Sequence, residues 1–239
     1  MYSKFQWHAT CALALLFAAA CSSAVPWHDE PVGNEVNITF TIQNNLLFLN
    51  GASIDGKPGR LLIGSAQPQT VLDPKFADSG MHSLQLNQRE SLRFTPVGVD
   101  LHGVADGIVG NDVWGGHAIT IDYRSGLLTF QREGIHPEMM VLYKFSGEPT
   151  VNVVVDGHVT SAVVDTTSPD TLILPRTAAG PDRKSAHVQI GDTDFGAVDV
   201  RMADVSVPRI GNRLLSRFLV TIDFGKRQVG LWRDPRIAL

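Results

Sequence analysis

Along most of the chain apolar residues alternate with polar ones. In VNITFTIQ (36–43) every second residue is apolar, the period of a strand with one buried face. Two longer stretches, SIDGKPGRLLI (53–63) and VNVVVDGHVTSAVV (151–164), each place an Asp-Gly dipeptide between strand-like runs. That dipeptide tolerates the positive φ angles of a tight hairpin. No stretch sustains a 3.6-residue apolar period, so the pattern predicts an all-β protein without long helices.

The pattern also repeats. Asp55-Gly56 recurs as Asp156-Gly157, Pro68 as Pro169, Thr70 as Thr171 and Pro74 as Pro175. VGN (109–111) recurs as IGN (210–212), and ITID (119–122) as VTID (220–223). Every pair is 101 residues apart, whereas chance matches would scatter. The chain therefore reads as two copies of a unit of about 100 residues, with lobes over 36–132 and 150–235. The seam lies in QREGIHPEMMVLYKFSGEP (131–149), punctuated by Pro137, Gly147 and Pro149. Two such units in tandem predict a bilobal protein with a cleft between the lobes.

The N-terminus has another character. Lys4, the apolar CALALLFAAA (11–20) and the small residues CSSA (21–24) form the three regions of an export signal spanning 1–24. Its apolar stretch is shorter than the roughly 20 residues needed to cross a bilayer. AAAC (18–21) resembles the lipobox of bacterial lipoproteins, with Cys21 as the acylated residue, although Ala18 stands where that pattern usually has Leu. Cleavage after Ala24 without lipidation is the alternative. The expected location is the periplasm or the outer membrane as an attached lipoprotein, or otherwise secretion. Any membrane contact would pass through the N-terminal lipid.

The only cysteines are Cys11, inside the signal, and Cys21, so no disulfide can form within the mature chain. Stability must come from packing. The full chain has net charge −4, and without residues 1–20 the balance is 19 basic against 24 acidic residues. Basic runs are absent, so no nucleic-acid partner is expected.

The repeat aligns LLIGSAQPQTVLDP (61–74) with AVVDTTSPDTLILP (162–175). An apolar strand, Asp-Thr-Gly-Ser or close to it, then Thr and a second apolar strand resembles the retropepsin- and pepsin-like aspartic proteases. The apolar-apolar-Gly motif that packs beneath each active-site loop in that family has counterparts in IVGN (108–111) and RIGN (209–212), hence Gly110, Asn111, Gly211 and Asn212. The continuations after them resemble bacterial members. The resemblance spans residues 45–235 and implies the bilobal all-β fold. It also implies chemistry by two aspartates, one per lobe, that share a proton and hold one water between them.

Asp165 matches one of these aspartates, and Gly64 occupies the place of the other. Glycine supplies neither charge nor proton, and losing general acid–base help alone costs 10²–10⁴-fold. The family's next glycine is Ala66 in the first loop and Thr167 in the second, where a β-branched side chain is expected to crowd the carboxylate. Ser65 and Thr166 keep the hydroxyl that bonds across to the opposite loop in the family, and Ser168 completes the second loop. Asp73 and Asp55 are not expected to reach Asp165. Asp122 and Asp223 each end a strand before a turn, where aspartate normally bonds its own backbone.

The eight histidines are scattered without zinc-site spacing, so no metal or cofactor is expected, and the rings are assigned to surfaces and turns. Asn37-Ile38-Thr39 matches a glycosylation sequon but reads as strand. The polar segment LPRTAAGPDRKSAH (174–187) is expected to be an exposed loop that could border the cleft. The resulting expectation is an exported aspartic-protease-like protein without peptidase activity, whose cleft accepts an extended peptide or a protein partner. Two alternatives stand beside it: an active endopeptidase with an altered site using Asp165, and a structural envelope lipoprotein.

Overall fold

The computed structural model describes residues 35–86, 91–131, 140–176 and 183–234. The signal-like segment, Cys21 and residues 132–139 at the seam lie outside them.

The first half contains β1 (Glu35–Gln43), β2 (Leu46–Leu49), β3 (Ser53–Ile54), β4 (Lys57–Pro58), β5 (Leu61–Ile63), β6 (Val71–Leu72), β7 (His82–Gln85), β8 (Ser91–Phe94), β9 (Val97–Gly98) and β10 (Gly107–Val109). It closes with α1 (Asn111–Trp114), β11 (Ala118–Asp122) and β12 (Leu127–Gln131). The second half contains β13 (Val141–Lys144), β14 (Thr150–Val155), β15 (His158–Val164), β16 (Leu172–Pro175), β17 (Ser185–Ile190), β18 (Thr193–Ala203) and β19 (Arg209–Ile210). It ends with α2 (Asn212–Leu215), β20 (Leu219–Asp223) and β21 (Gln228–Trp232). Both helices are single turns, so the fold is all-β.

The duplication is visible in space. α1 and α2, β11 and β20, and β12 and β21 have identical bounds once shifted by the repeat. β11 pairs antiparallel with β20, with Thr120 opposite Thr221, and their hydroxyls bond at 2.8 Å. These two threonines are repeat equivalents, so a pseudo-twofold axis passes between them. The order β13-β21-β20-β11-β12-β1 forms a sheet shared by both halves. One apolar core, from Val36 and Phe40 through Ile121 and Phe130 to Val220 and Leu231, runs under it from lobe to lobe.

Both Asp-Gly dipeptides sit at hairpin tips with positive φ, 51° and 79° at Asp55-Gly56, and 49° and 81° at Asp156-Gly157. The lobes then diverge. The second is a closed barrel, β14-β15-β19-β16-β18-β17. The first is broken where Pro58-Gly59 replaces Val159-Thr160 of β15, and where Pro96 replaces Ala197 of β18. Proline has no N–H to give to a ladder, so each long strand splits, into β4 and β5 and into β8 and β9. The ends of segment 174–187 are strand and not loop: Leu174 and Pro175 close β16, while Ser185 to His187 open β17, and residues 177–182 lie outside the described residues. Pairing with β18 and β14 overrides the local composition.

Candidate functional site

Each loop follows a buried parallel pair. β5 runs beside β10, and β15 beside β19. The amides at the loop starts bond to the neighbouring strand: Gly64 N–H to Val109 O at 2.9 Å, and Asp165 N–H to Ile210 O at 3.0 Å. The glycines beneath are required by space. A Cβ on Gly110 would lie 2.6 Å from Gln69 C, and one on Gly211 would strike Asp170 O. Asn111 and Asn212 open the helices, and Asn212 is the better tied. Its amide donates to Thr166 O and Asn45 O, while Tyr123 Oη donates to its Oδ1 at 2.9 Å. Burial pushes the Tyr123 phenol pKa up. Its repeat equivalent is Phe224, which has no hydroxyl, and Asn111 Oδ1 correspondingly has no hydrogen-bond partner among the described residues.

Across the axis the loops grip each other reciprocally. Thr166 Oγ1 donates to Ile63 O at 2.6 Å and accepts from Ser65 N at 2.9 Å. Ser65 Oγ donates to Val164 O at 2.6 Å and accepts from Thr166 N at 3.0 Å. Both hydroxyls are fully buried. Four charge-free bonds, matched pairwise by the repeat, fix Gly64 and Asp165 on opposite sides of the axis.

Asp165 is 6% exposed, and all of its side-chain partners are donors. Thr167 N–H and Thr167 Oγ1 reach Oδ1 at 3.0 and 2.6 Å. Thr167 thus does not crowd the carboxylate as its β-branch implied; its hydroxyl adds a second hydrogen bond. Ser168 packs behind, its amide on Asp165 O at 3.2 Å and its hydroxyl near Asp170. The other carboxylate oxygen, Oδ2, is taken by Arg209 Nη1 at 2.9 Å. Arg209 Nη2 in turn donates to Glu148 Oε1 at 2.7 Å. Burial pulls the guanidinium pKa down, but the hydrogen bonds to Asp165 and Glu148 outweigh it and leave the value raised. The result is a carboxylate–guanidinium–carboxylate chain on the second lobe.

The first lobe has nothing comparable. A Cβ on Gly64 would lie 2.6 Å from Ile108 Cγ2 and 2.9 Å from Gln67 Cβ, so Ile108 fills the space a side chain would need. Ala66 is buried beside it. Ile108 packs with Phe48, Leu62 and Ala105, an apolar face where the second lobe is charged. Ile108 and Arg209 are repeat equivalents, as are Leu47 and Glu148. Charge in place of an apolar residue at two positions flanking one loop was the signal in the sequence for Arg209 and Glu148, which a search restricted to carboxylates near position 64 passes over.

The remaining acids are occupied elsewhere. Asp73 accepts from Lys75 N and Leu101 N. Asp122 and Asp223 accept from the amides of their own turns, at Arg124 and Lys226. Asp55 accepts from Ser83 N and holds His82 Nδ1 at 2.6 Å. His82 is therefore no surface ring: its side chain is 10% exposed, on β7, tied also to Asp78. No cluster of three or more potential metal ligands occurs among the described residues.

The fold is that of a bilobal aspartic-proteinase-like protein. A solved structure of this class, the crystal structure of aspartic proteinase from Irpex lacteus, superposes with a TM-score of 0.60 at 11% sequence identity, covering 84% of this chain and 98% of that one. At this identity the likeness establishes the fold. No family model and no curated protein matches the chain.

Proposed function

We propose that the protein is an exported scaffold of aspartic-protease type that binds an extended peptide or protein segment between its lobes and does not hydrolyse it. The observation that carries this reading is the partner of Asp165. Where two-aspartate chemistry needs a second carboxylate from the opposite lobe, Asp165 has the permanent cation Arg209 from its own lobe, and the opposite position is a glycine closed off by Ile108. A proton shared by two carboxylates and a water held between them have no counterpart in an ion pair. The interlobe grip, meanwhile, is intact, so the architecture persists without the acid–base pair. An apolar face around Ile108 and a charged one around Arg209 offer an extended chain contacts of two kinds, with strand addition as the means of holding it.

A second reading has one observation in its favour: Glu148 shares Arg209 with Asp165, which makes Glu148 the candidate for an altered pair. Incubating purified protein with unfolded casein peptides across pH 3–7, with capture read by crosslinking and cleavage by mass spectrometry, separates the two. The proposal expects captured peptides of unchanged mass. Pepstatin-sensitive cleavage lost in both Glu148→Gln and Asp165→Asn would establish the altered enzyme instead.

A further inference from the structure

The two ends of the shared sheet are related by the pseudo-twofold axis, yet they are built differently. At one end the row of paired residues reads Asp223, Ala118, Gln131; at the other it reads Asp122, Leu219, Trp232. At the first end the flanking turns are drawn together. Phe224 N–H donates to His117 O at 3.1 Å, and a Cβ on Gly225 would lie 2.6 Å from Gly116 O. At the second end the repeat puts Arg124 in place of Gly225, Arg217 in place of Gly116 and Phe218 in place of His117. Two arginines cannot approach as two glycines do, and a cavity of about 590 Å³ stands open there.

The lining of this cavity is specific. Arg124, Arg217 and Arg233 converge on it from three separate segments, above a floor of Leu219, Phe218 and Trp232. They do so in a chain whose net charge is −4. The two acids in the wall, Asp122 and Asp234, offset part of this charge. Asp122 Oδ1 accepts from the amides of Arg124 and Ser125, and Asp234 forms an ion pair with Arg124 Nη1 at 3.9 Å. Arg217 forms no ion pair with any described residue. Guanidinium groups suit carboxylate and phosphate oxygens, and an indole beside them offers a flat apolar surface.

We propose that this cavity is a binding site for a small molecule with a flat apolar body and one terminal anionic group, carboxylate or phosphate, separate from the interlobe loops. The body lies along Trp232 and Leu219, and the anion faces Arg217. Calorimetric titration of the purified full chain tests this with three probes: 2-naphthoate, 2-naphthyl phosphate and the uncharged 2-naphthalenemethanol. At least one anion is expected to saturate the protein below millimolar concentration, with the alcohol about tenfold weaker or more, the anion preference naming the natural group. Arg217→Gln is expected to weaken the anion about tenfold while leaving the melting temperature unchanged, since Arg217 is exposed and has no ion pair with a described residue. The site is refuted if neither anion saturates, if the alcohol binds as well as the anions, or if Arg217→Gln has no effect. Loss of binding in Arg209→Gln with Arg217→Gln unaffected would move the ligand to the loops and equally refute it, whatever peptide binding there proves to be.

Discussion

At position 209 a guanidinium stands where the first copy of the unit has Ile108, and the consequences are measurable. Arg209 joins the buried Asp165 to Glu148, whose side chain is 40% exposed, and removing the cation leaves the Asp165 carboxylate without its charge partner. Arg209→Ile is expected to destabilise the protein by about 1–3 kcal/mol in urea unfolding, most of it from the buried Asp165 pair. Arg209→Lys recovers only part of that, because a single ammonium cannot present the two-pronged geometry that reaches Asp165 and Glu148 together. A Gly64→Asp variant is expected to lose about 2 kcal/mol through the clash with Ile108 and Gln67, and adding Ile108→Ala should return most of it. At this scale the sequence was partly legible. A constant repeat offset located Gly64 opposite Asp165. The branch of Thr167 predicts crowding, but its hydroxyl bonds Asp165 instead, and Arg209 has no acidic signature to mark it as a partner of a carboxylate.

The elements were the most legible level, because alternation and turn chemistry are local. Asp55-Gly56 and Asp156-Gly157 were readable as hairpin tips from the dipeptide itself. The breaks at Pro58 and Pro96 follow from the missing N–H, once the second copy shows what an unbroken strand looks like. His82 escaped, since a strand histidine tied to a turn aspartate 27 residues away leaves no local trace. That pair gives a pH prediction. The side-chain bond to Asp55 is the main cause raising the His82 pKa above 6.5, against a smaller loss from burial, and His82 lowers Asp55 below 3.8. A raised histidine contributes its stability fully below its unfolded value of about 6.5, and the contribution fades as pH rises through the folded value. The Asp55 contribution is lost only in acid, as pH falls through its lowered value. The melting temperature of the wild type should therefore decline from pH 6 to pH 8 more than that of His82→Asn. Parallel curves for the two proteins would show that the pair is not linked to folding.

For the molecule as a whole, the shared sheet is the decisive feature. Thr120 and Thr221 meet on the axis, and the core passes beneath them without interruption. Neither lobe can unfold without exposing a long edge of the other's strand, so thermal and urea unfolding are expected to follow one transition by near- and far-ultraviolet dichroism. Two separated transitions would mean that the lobes are energetically independent. The bilobal plan was legible from the repeat. The asymmetry between a broken first lobe and a closed second barrel was present in Pro58, Pro96 and their counterparts. The open arginine-lined end was not legible, because Arg124, Arg217 and Arg233 are distant in sequence and meet only through the register of β11, β20 and β21. The central proposal is that Asp165, paired with Arg209 and facing a glycine across the axis, does not hydrolyse peptides within this bilobal all-β fold. The most direct measurement is the initial rate of peptide-bond hydrolysis in unfolded casein, wild type beside Asp165→Asn, from pH 3 to pH 7. Coincident traces at background are predicted, and a wild-type rate that disappears with Asp165 would contradict the account.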